Sequence, residues 1–330
     1  MALDVKIIIN MTKPVGSVGF GCPLILEENA TKAVEYTECS SLHAVTLAGY
    51  ENTSAVYKVA QLMFMQDHAP KKIAVCSTTE TATNWLGEEK NISKDWRQLV
   101  TINSGNTATA VGDIMTAIEA ETKYPKMFYA NLPYDDKSTI KVADVKRTIL
   151  FYYTPSEDIP CPVAALAGEV GGLEVGSYTL NNMTIKGVDG LDLNDEEIDA
   201  IHAKGGITLV VSAGDNVVSE GKTAGGSFVD NVDGDDWIKQ QLEYNLQKVF
   251  NNNLKVPYTD TGIALLEGAA MGVMKTAVEK GIVHTFEVKF NLREDTTPED
   301  RANRRYVGGN ITYERAGAIH TIEVNCEVTA

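Results

Sequence analysis

Lys72-Ile-Ala-Val-Cys-Ser77 is an apolar run closed by a hydroxyl residue. A short run without polar alternation reads as a strand buried on both faces. Working outward, runs of this kind alternate with helical spacing. Upstream, Thr53 or Ser54 caps a helix carrying Val56, Val59, Ala60, Met63 and Phe64. Ala44-Val-Thr-Leu-Ala-Gly49 is expected as a short strand closed by glycine. Downstream come a helix near 80–97 with Trp85 and Trp96, and a strand over 98–102. A helix over 107–122 follows, with Val111, Ile114, Met115 and Ile118 inward, then a strand over 126–131. A short helix near 138–145, a strand over 147–153 and a helix over 161–169 continue the pattern. Strands alternating with helices predict an α/β domain over about 40 to 170, a doubly wound, mostly parallel sheet covered on both faces.

Residues 171–193 break the rhythm. They are glycine-rich and run through Tyr178, Leu180, Met183 and Ile185. Asn194 is placed to cap a helix over 195–204, whose first turn is filled with carboxylates that favour the helix dipole. Gly205-Gly206 stops it, and Ile207-Thr-Leu-Val-Val-Ser212 reads as a strand. Asp233-Gly-Asp-Asp-Trp-Ile opens a long helix with Ile238, Leu242, Leu246, Val249 and Phe250 in one stripe. A second helix, rich in alanine and glycine, covers about 261–280. Two alternating strands follow. One has Ile282, His284, Phe286, Val288 and Phe290 on a face, the other Val307, Gly309, Ile311 and Tyr313. Helices against a small antiparallel sheet make an α+β module. The charged stretch 293–305 reads either as a solvated connection or as a charge-complementary contact.

Both ends of the chain alternate with period two. Ile322, Val324, Cys326 and Val328 share one face of the last stretch, and Leu3, Val5, Ile7, Ile9 and Met11 share one face of the first. Each such strand needs a sheet to join, its own or a neighbour's. Pro14, Gly16, Gly19, Gly21 and Pro23 read as a flexible connector.

A chain of 330 residues is long enough for two cores. Its 29 Lys and Arg against 45 Asp and Glu give a net charge of −16. Phosphate binding needs clustered cations, so nucleic acid and anionic membranes are not expected as partners. The opening residues lack the basic leader and long apolar run of a signal peptide. The most apolar region, near 262–283, is interrupted by Glu267, Lys275, Glu279 and Lys280, so no membrane insertion is expected. Five scattered cysteines, Cys22, Cys39, Cys76, Cys161 and Cys326, are expected as buried reduced thiols in a protein made in the cytosol.

No stretch builds a persuasive active site. Ser219-Glu-Gly-Lys-Thr223 imitates a phosphate loop, but Asn216 stands where the first glycine belongs. The clusters Gly16-x-x-Gly19-x-Gly21 and Gly168-x-x-Gly171-Gly172 lack the spacing and setting of a dinucleotide fingerprint. Cys39 and His43 form the only close Cys/His pair, too little for zinc. His43, His68, His202, His284 and His320 are far apart in sequence, and His284 and His320 fall on apolar strand faces. Asp235 and Asp236 at a helix start are expected to cap it. No catalytic, cofactor-binding or metal residue is assigned.

The second half, about 155–328, resembles the sheath proteins of contractile tails, which form the outer tube of myophages, R-type bacteriocins and related injection machines. The likeness is carried by elements in order. Pro160-Cys-Pro-Val-Ala-Ala-Leu-Ala-Gly168 looks like the family's alanine-rich helix. Gly187-Val-Asp-Gly-Leu-x-Leu-Asn-Asp-Glu-Glu and Ala203-Lys-Gly-Gly-Ile-Thr-Leu-Val-Val follow. Then come Gly221-Lys-Thr-Ala-Gly-Gly-Ser-Phe-Val-Asp and Asp235-Asp-Trp-Ile, so the near-miss phosphate loop reads better as part of this series. The chain is short, so the extra outer domains of large phage sheaths are expected to be absent.

The resemblance implies a structural subunit, not an enzyme, that polymerises around an inner tube and contracts to drive it through a cell envelope. It implies an N-terminal linking arm over 1–20, an outer α/β domain over 21–204, an inner α+β domain over 205–317 beside the tube, and a C-terminal linking strand over 318–330. Leu3, Val5, Ile7, Ile9, Ile322, Val324, Cys326 and Val328 would then carry strand exchange between subunits. Expected partners are further copies in stacked rings, the tail tube protein, and baseplate and tail terminator proteins. The expected location is a virion tail or contractile particle assembled in the bacterial host cytoplasm. The competing readings are a cytosolic α/β enzyme holding a nucleotide or small acid at the sheet crevice, and a tube or baseplate protein of the same particle, against which the α/β domain counts.

Overall fold

Cys22-Pro-Leu-Ile-Leu-Glu27 forms β1, the strand about which the main sheet is arranged. The computed structural model describes residues 22–103, 107–134, 140, 144–324 and 326. β2 (Val34–Cys39), α1 (Leu42–Leu47), α2 (Ala55–Phe64) and β3 (Ile73–Ser77) follow β1. Then come α3 (Ala82–Leu86), α4 (Glu89–Ile92), β4 (Trp96–Ile102), α5 (Ala108–Ala120), β5 (Met127–Leu132), β6 (Thr148–Tyr152) and α6 (Val163–Gly172). α7 (Asp195–His202) leads to β7 (Gly206–Ile207), β8 (Leu209–Ser212) and β9 (Asp215–Val218). The last elements are α8 (Val229–Asn252), α9 (Asp260–Glu279), β10 (Val283–Phe290), α10 (Pro298–Ala302) and β11 (Gly309–Arg315).

Seven strands form the main sheet in the order β2-β3-β1-β4-β5-β6-β7. All neighbours are parallel except β2, which runs antiparallel on β3. This is the doubly wound, mostly parallel α/β sheet expected. Period two sorts its side chains into two cores. Ile25, Val75 and Tyr129 face α2 and α6. Leu24, Leu26, Ala74 and Phe128 face α3 and α5. A third core joins α8, α9 and the β10–β11 hairpin through Ile238, Leu242, Ala270, Val273, Met274 and Val288.

Several expectations are corrected. The connector proposed to run to Pro23 instead gives way to β1 at Cys22, and the sheet begins there rather than near residue 40. Pro23 is tolerated because the β1–β4 register shifts between Cys22 and Leu24, where a missing N–H breaks no ladder bond. Residues 44–47 are helical and 48–49 form the closing turn, so no strand lies there: Ser41 caps α1 by accepting the Ala44 N–H. So short an apolar run does not by itself separate the two states. The single strand expected over 207–212 is two. β7 closes the main sheet, while β8 pairs with β9. His284 is exposed, because a bulge between Val283 and Thr285 turns it away from the apolar face. The expected boundary at 204/205 does not coincide with a change of core. β7 pairs with β6, and Leu209, Val218 and Val229 lie in the first core. The helix expected over 138–145 falls largely outside the described residues.

α6 crosses α2 at very short range. A Cβ placed on Gly168 would lie 2.6 Å from the Met63 Cα. Helix propensity favours Ala over Gly by about 1 kcal/mol, whereas overpacking costs about 1–3 kcal/mol. The obstructing atom is backbone, so the steric cost is expected to win. Gly168→Ala should lower the urea midpoint at unchanged m-value, corresponding to about 1–2 kcal/mol. An increase in stability would mean that the helices separate at no cost.

Candidate functional site: an ion-paired joint and the root of a terminal arm

Asp233-Gly-Asp-Asp236 lies one turn inside α8, which starts earlier than expected, at Val229. The carboxylates therefore do not cap the helix. Asp233 and Asp236, three residues apart on one face, are buried against the main sheet. There they meet Arg97 of β4, whose side chain is almost wholly enclosed at 2% exposure. The Arg97 guanidinium pairs with Asp233 and, at 2.7 Å, with Asp236. It also donates to the Pro125 carbonyl at 3.0 Å. Arg147, just before β6, grips both Asp236 oxygens at 2.8 and 2.9 Å. The Tyr178 hydroxyl donates to Asp233 at 2.6 Å. Burial alone would lower the Arg97 pKa, but Asp236 and Asp233 outweigh it and raise it. Burial likewise opposes ionisation of Asp236, but Arg97 and Arg147 hold its carboxyl down at about 2. Beside the joint, burial and then the Arg97 charge lower Lys126 to about 7. Its Nζ donates to the carbonyls of Lys94 and Trp96 at 2.7 and 2.5 Å.

Asp235 points the other way. It accepts from Arg315 at 2.6 Å and from the Tyr313 hydroxyl at 2.8 Å, tying β11 to the same turn of α8. Between these carboxylates, a Cβ on Gly234 would meet Ile282 at 2.7 Å, so the helix lies directly on the start of the hairpin. One turn of α8 thus joins the main sheet to the third core.

Beyond β11 most described residues face solvent. The Ala316 N–H donates to the Ile282 carbonyl at 3.1 Å, and Gly317 takes a φ of +65°. Ile319, Ile322 and Val324 are then 91%, 80% and 71% exposed, and Cys326 is exposed too. The described residues of 318–326 join no strand. Among the described residues the β10–β11 sheet has two strands, so each presents an edge. Of the residues proposed for strand exchange, Ile322, Val324 and Cys326 are together on this exposed segment. Leu3, Val5, Ile7, Ile9 and Val328 lie outside the described residues. Cys22, Cys39, Cys76 and Cys161 are buried free thiols, and burial raises each of their pKa values. The exposed Cys326 departs from the expectation for all five.

The phosphate-loop imitation is occupied by its own chain. Lys222 pairs with Glu220 at 2.6 Å, and the Thr223 hydroxyl donates to the Val145 carbonyl at 3.2 Å. Sequence reasoning missed Arg97 and Arg147. The signal was a cation, Arg97, close before the strand-forming run Leu99–Ile102, since a buried charge needs a partner. The identity of that partner, 136 residues away, was not legible.

No family model matches this sequence, and no curated protein matches it. Solved structures do share its fold. A chain of an extracellular contractile injection system, the PVC sheath complex in its contracted state, superposes with a TM-score of 0.69 at 11% identity, covering 96% of each chain. The sheath tail protein from Desulfitobacterium hafniense gives a TM-score of 0.56 at 10% identity, over 85% of this chain and 92% of that one. The chain has the contractile-sheath fold. A chain from the baseplate structure of the anti-feeding prophage has it as well, with a TM-score of 0.71 at 12% identity over 97% of both chains. Within this sheath fold, no described helix is long and apolar enough to cross a membrane.

Removing one member of a buried ion cluster leaves an uncompensated charge. Arg97→Met is expected to lower unfolding free energy by about 3–5 kcal/mol. Adding Asp233→Asn should recover part of that loss in a double-mutant cycle. The joint also sets an acid limit. Asp236 has a folded value of about 2 against an ordinary 3.8, so its contribution is complete above pH 3.8 and is lost as pH falls through about 2. That difference corresponds to about 2 kcal/mol. Acid titration of Asp236→Asn should show a correspondingly shallower loss of stability in this window.

Proposed function

We propose that this chain is a structural subunit of a contractile sheath, polymerising around an inner tube and contracting to drive it through a target cell envelope. The observation that carries this reading is the sheath fold shared over nearly the whole chain with the PVC sheath complex. The exposed apolar C-terminal segment and, among the described residues, the open edges of the β10–β11 sheet support it. In this reading, residues 1–20 and 318–330 are linking arms. Leu3, Val5, Ile7 and Ile9, with Ile322, Val324, Cys326 and Val328, add strands to neighbouring copies. Main-chain hydrogen bonds supply the affinity, and alternate side chains fill pockets. Contraction is a rigid-body change between two interface arrangements, during which the exchanged strands keep subunits connected. The joint at Asp233–Asp236 would make the sheet and the third core move as one body.

Further partners in this reading are the tube protein and the baseplate and terminator proteins of the same particle. The subunit would be made in a bacterial cytoplasm and reside in a virion tail or a related contractile particle. The enzyme alternative gains little from the sheet crevice. Polar groups at the carboxyl ends of β1 and β3 bond to one another: the Tyr50 hydroxyl to Ser77 at 2.6 Å, and Ser77 to Glu27 at 2.6 Å.

Electron microscopy of purified protein should show wide hollow cylinders with helical ridges. A discrete small oligomer that binds nucleotide would refute the proposal. Deleting 318–330 should give folded monomers, by circular dichroism and sedimentation, that form no cylinders. Unfolding on deletion would instead make the segment part of its own chain's core.

A further inference from the structure

The root of the C-terminal arm inverts the usual order of burial. From Glu314 to Val324 every residue is exposed except His320, which is tucked into the body. The apolar neighbours Ile319 and Ile322 face solvent while the imidazole is held. Three separate segments hold it. Its Nε2 shares a hydrogen bond of 3.0 Å with the Thr179 hydroxyl. Its ring meets Phe228, the residue before α8, edge-on at 5.1 Å and 85°. Its Nδ1 lies 3.7 Å from a Glu220 oxygen. A Cβ on Gly221 would lie 3.2 Å from the ring, so the seat is close-fitting. Between Tyr313 and this seat the chain turns at Gly317, over a cleft of about 240 Å³ lined in part by Tyr178, Asp230 and Ile282.

We propose that His320 is a positioning residue that clamps the arm root and so fixes which face of the arm is offered to a second copy of this chain. This rests on the sheath reading. In an extended segment Ile322, Val324 and Cys326 fall on one side. Fixing the ring therefore fixes the direction of the apolar side that follows. Register matters because a slip of one residue would present Glu323 in place of Ile322 or Val324. A clamped root also lowers the ordering entropy of strand addition, since the arm leaves the body already aimed.

Two measurements test this. In the first, spin labels are attached at Ile322→Cys and Leu47→Cys with Cys326→Ser, in monomers kept below the assembly concentration. The distance distribution should be narrow, should at least double in width with His320→Ala, and should stay narrow with His320→Gln, whose amide can still reach Thr179. In the second, cylinder formation is followed by sedimentation and electron microscopy. His320→Ala should raise the critical concentration about tenfold at unchanged thermal stability, and His320→Gln should restore most of it. An unchanged label distribution in His320→Ala overturns the proposal. So does assembly at the parental concentration. Absence of cylinders from the parent chain refutes the sheath reading itself, and the monomer labels then report on the clamp alone.

Discussion

Arg97 is a guanidinium enclosed within a parallel sheet, and much of the architecture follows from the need to neutralise it. A charge in that position is tolerable only with close counter-charges and satisfied hydrogen bonds. Asp233 and Asp236 provide the charges, and the Pro125 carbonyl takes a further donor. Both carboxylates stand on one turn of α8, so neutralising Arg97 fixes where that helix begins and which face it turns to the sheet. Arg147 repeats the constraint from the neighbouring region of the sheet. Such a cluster contributes less net stability than its short distances suggest, because each ion gives up its hydration. Its larger effect is on geometry: displacing α8 would strand several charges at once.

That geometry extends to the third core. Asp235 faces opposite to its neighbours and holds β11 through Arg315 and Tyr313. Gly234 lets Ile282 approach the helix directly. Four consecutive residues therefore join a doubly wound sheet to a helix pair and hairpin. The hairpin is stabilised on its inner face, while its backbone edges remain available among the described residues. A segment whose described residues join no ladder emerges a few residues away. Rigid body, open edge and exposed apolar segment are complementary features of the described chain.

The sequence by itself determined the type of most elements. Runs such as Met127–Leu132, apolar except for Asn131, and helical spacing in Ala55–Phe64 were legible because burial on two faces or one leaves different periods. The capping box at Asn194 and Glu197 was half legible, through its capping residue and acidic first turn. Where local signals conflicted, the reading failed. Proline and glycine before Leu24 concealed the central strand, and six residues with a single buried side chain, Val45, were too few to distinguish helix from strand.

The tertiary structure alone decided how those elements meet. Asp235 and Asp236 look like capping residues in sequence, because a carboxylate near a helix start usually serves there. Only the fold brings Arg97 and Arg147 to Asp236, and Arg315 to Asp235. Residues 207–212 look like one strand, and only sheet packing divides them between two ladders. The terminal alternation at Ile322 and Val324 said that a sheet was needed. The three-dimensional arrangement added that, within the described chain, these side chains stay in solvent while His320 is held. Periodicity records how many faces a segment buries, whereas the choice of partner depends on contacts between residues far apart in the chain.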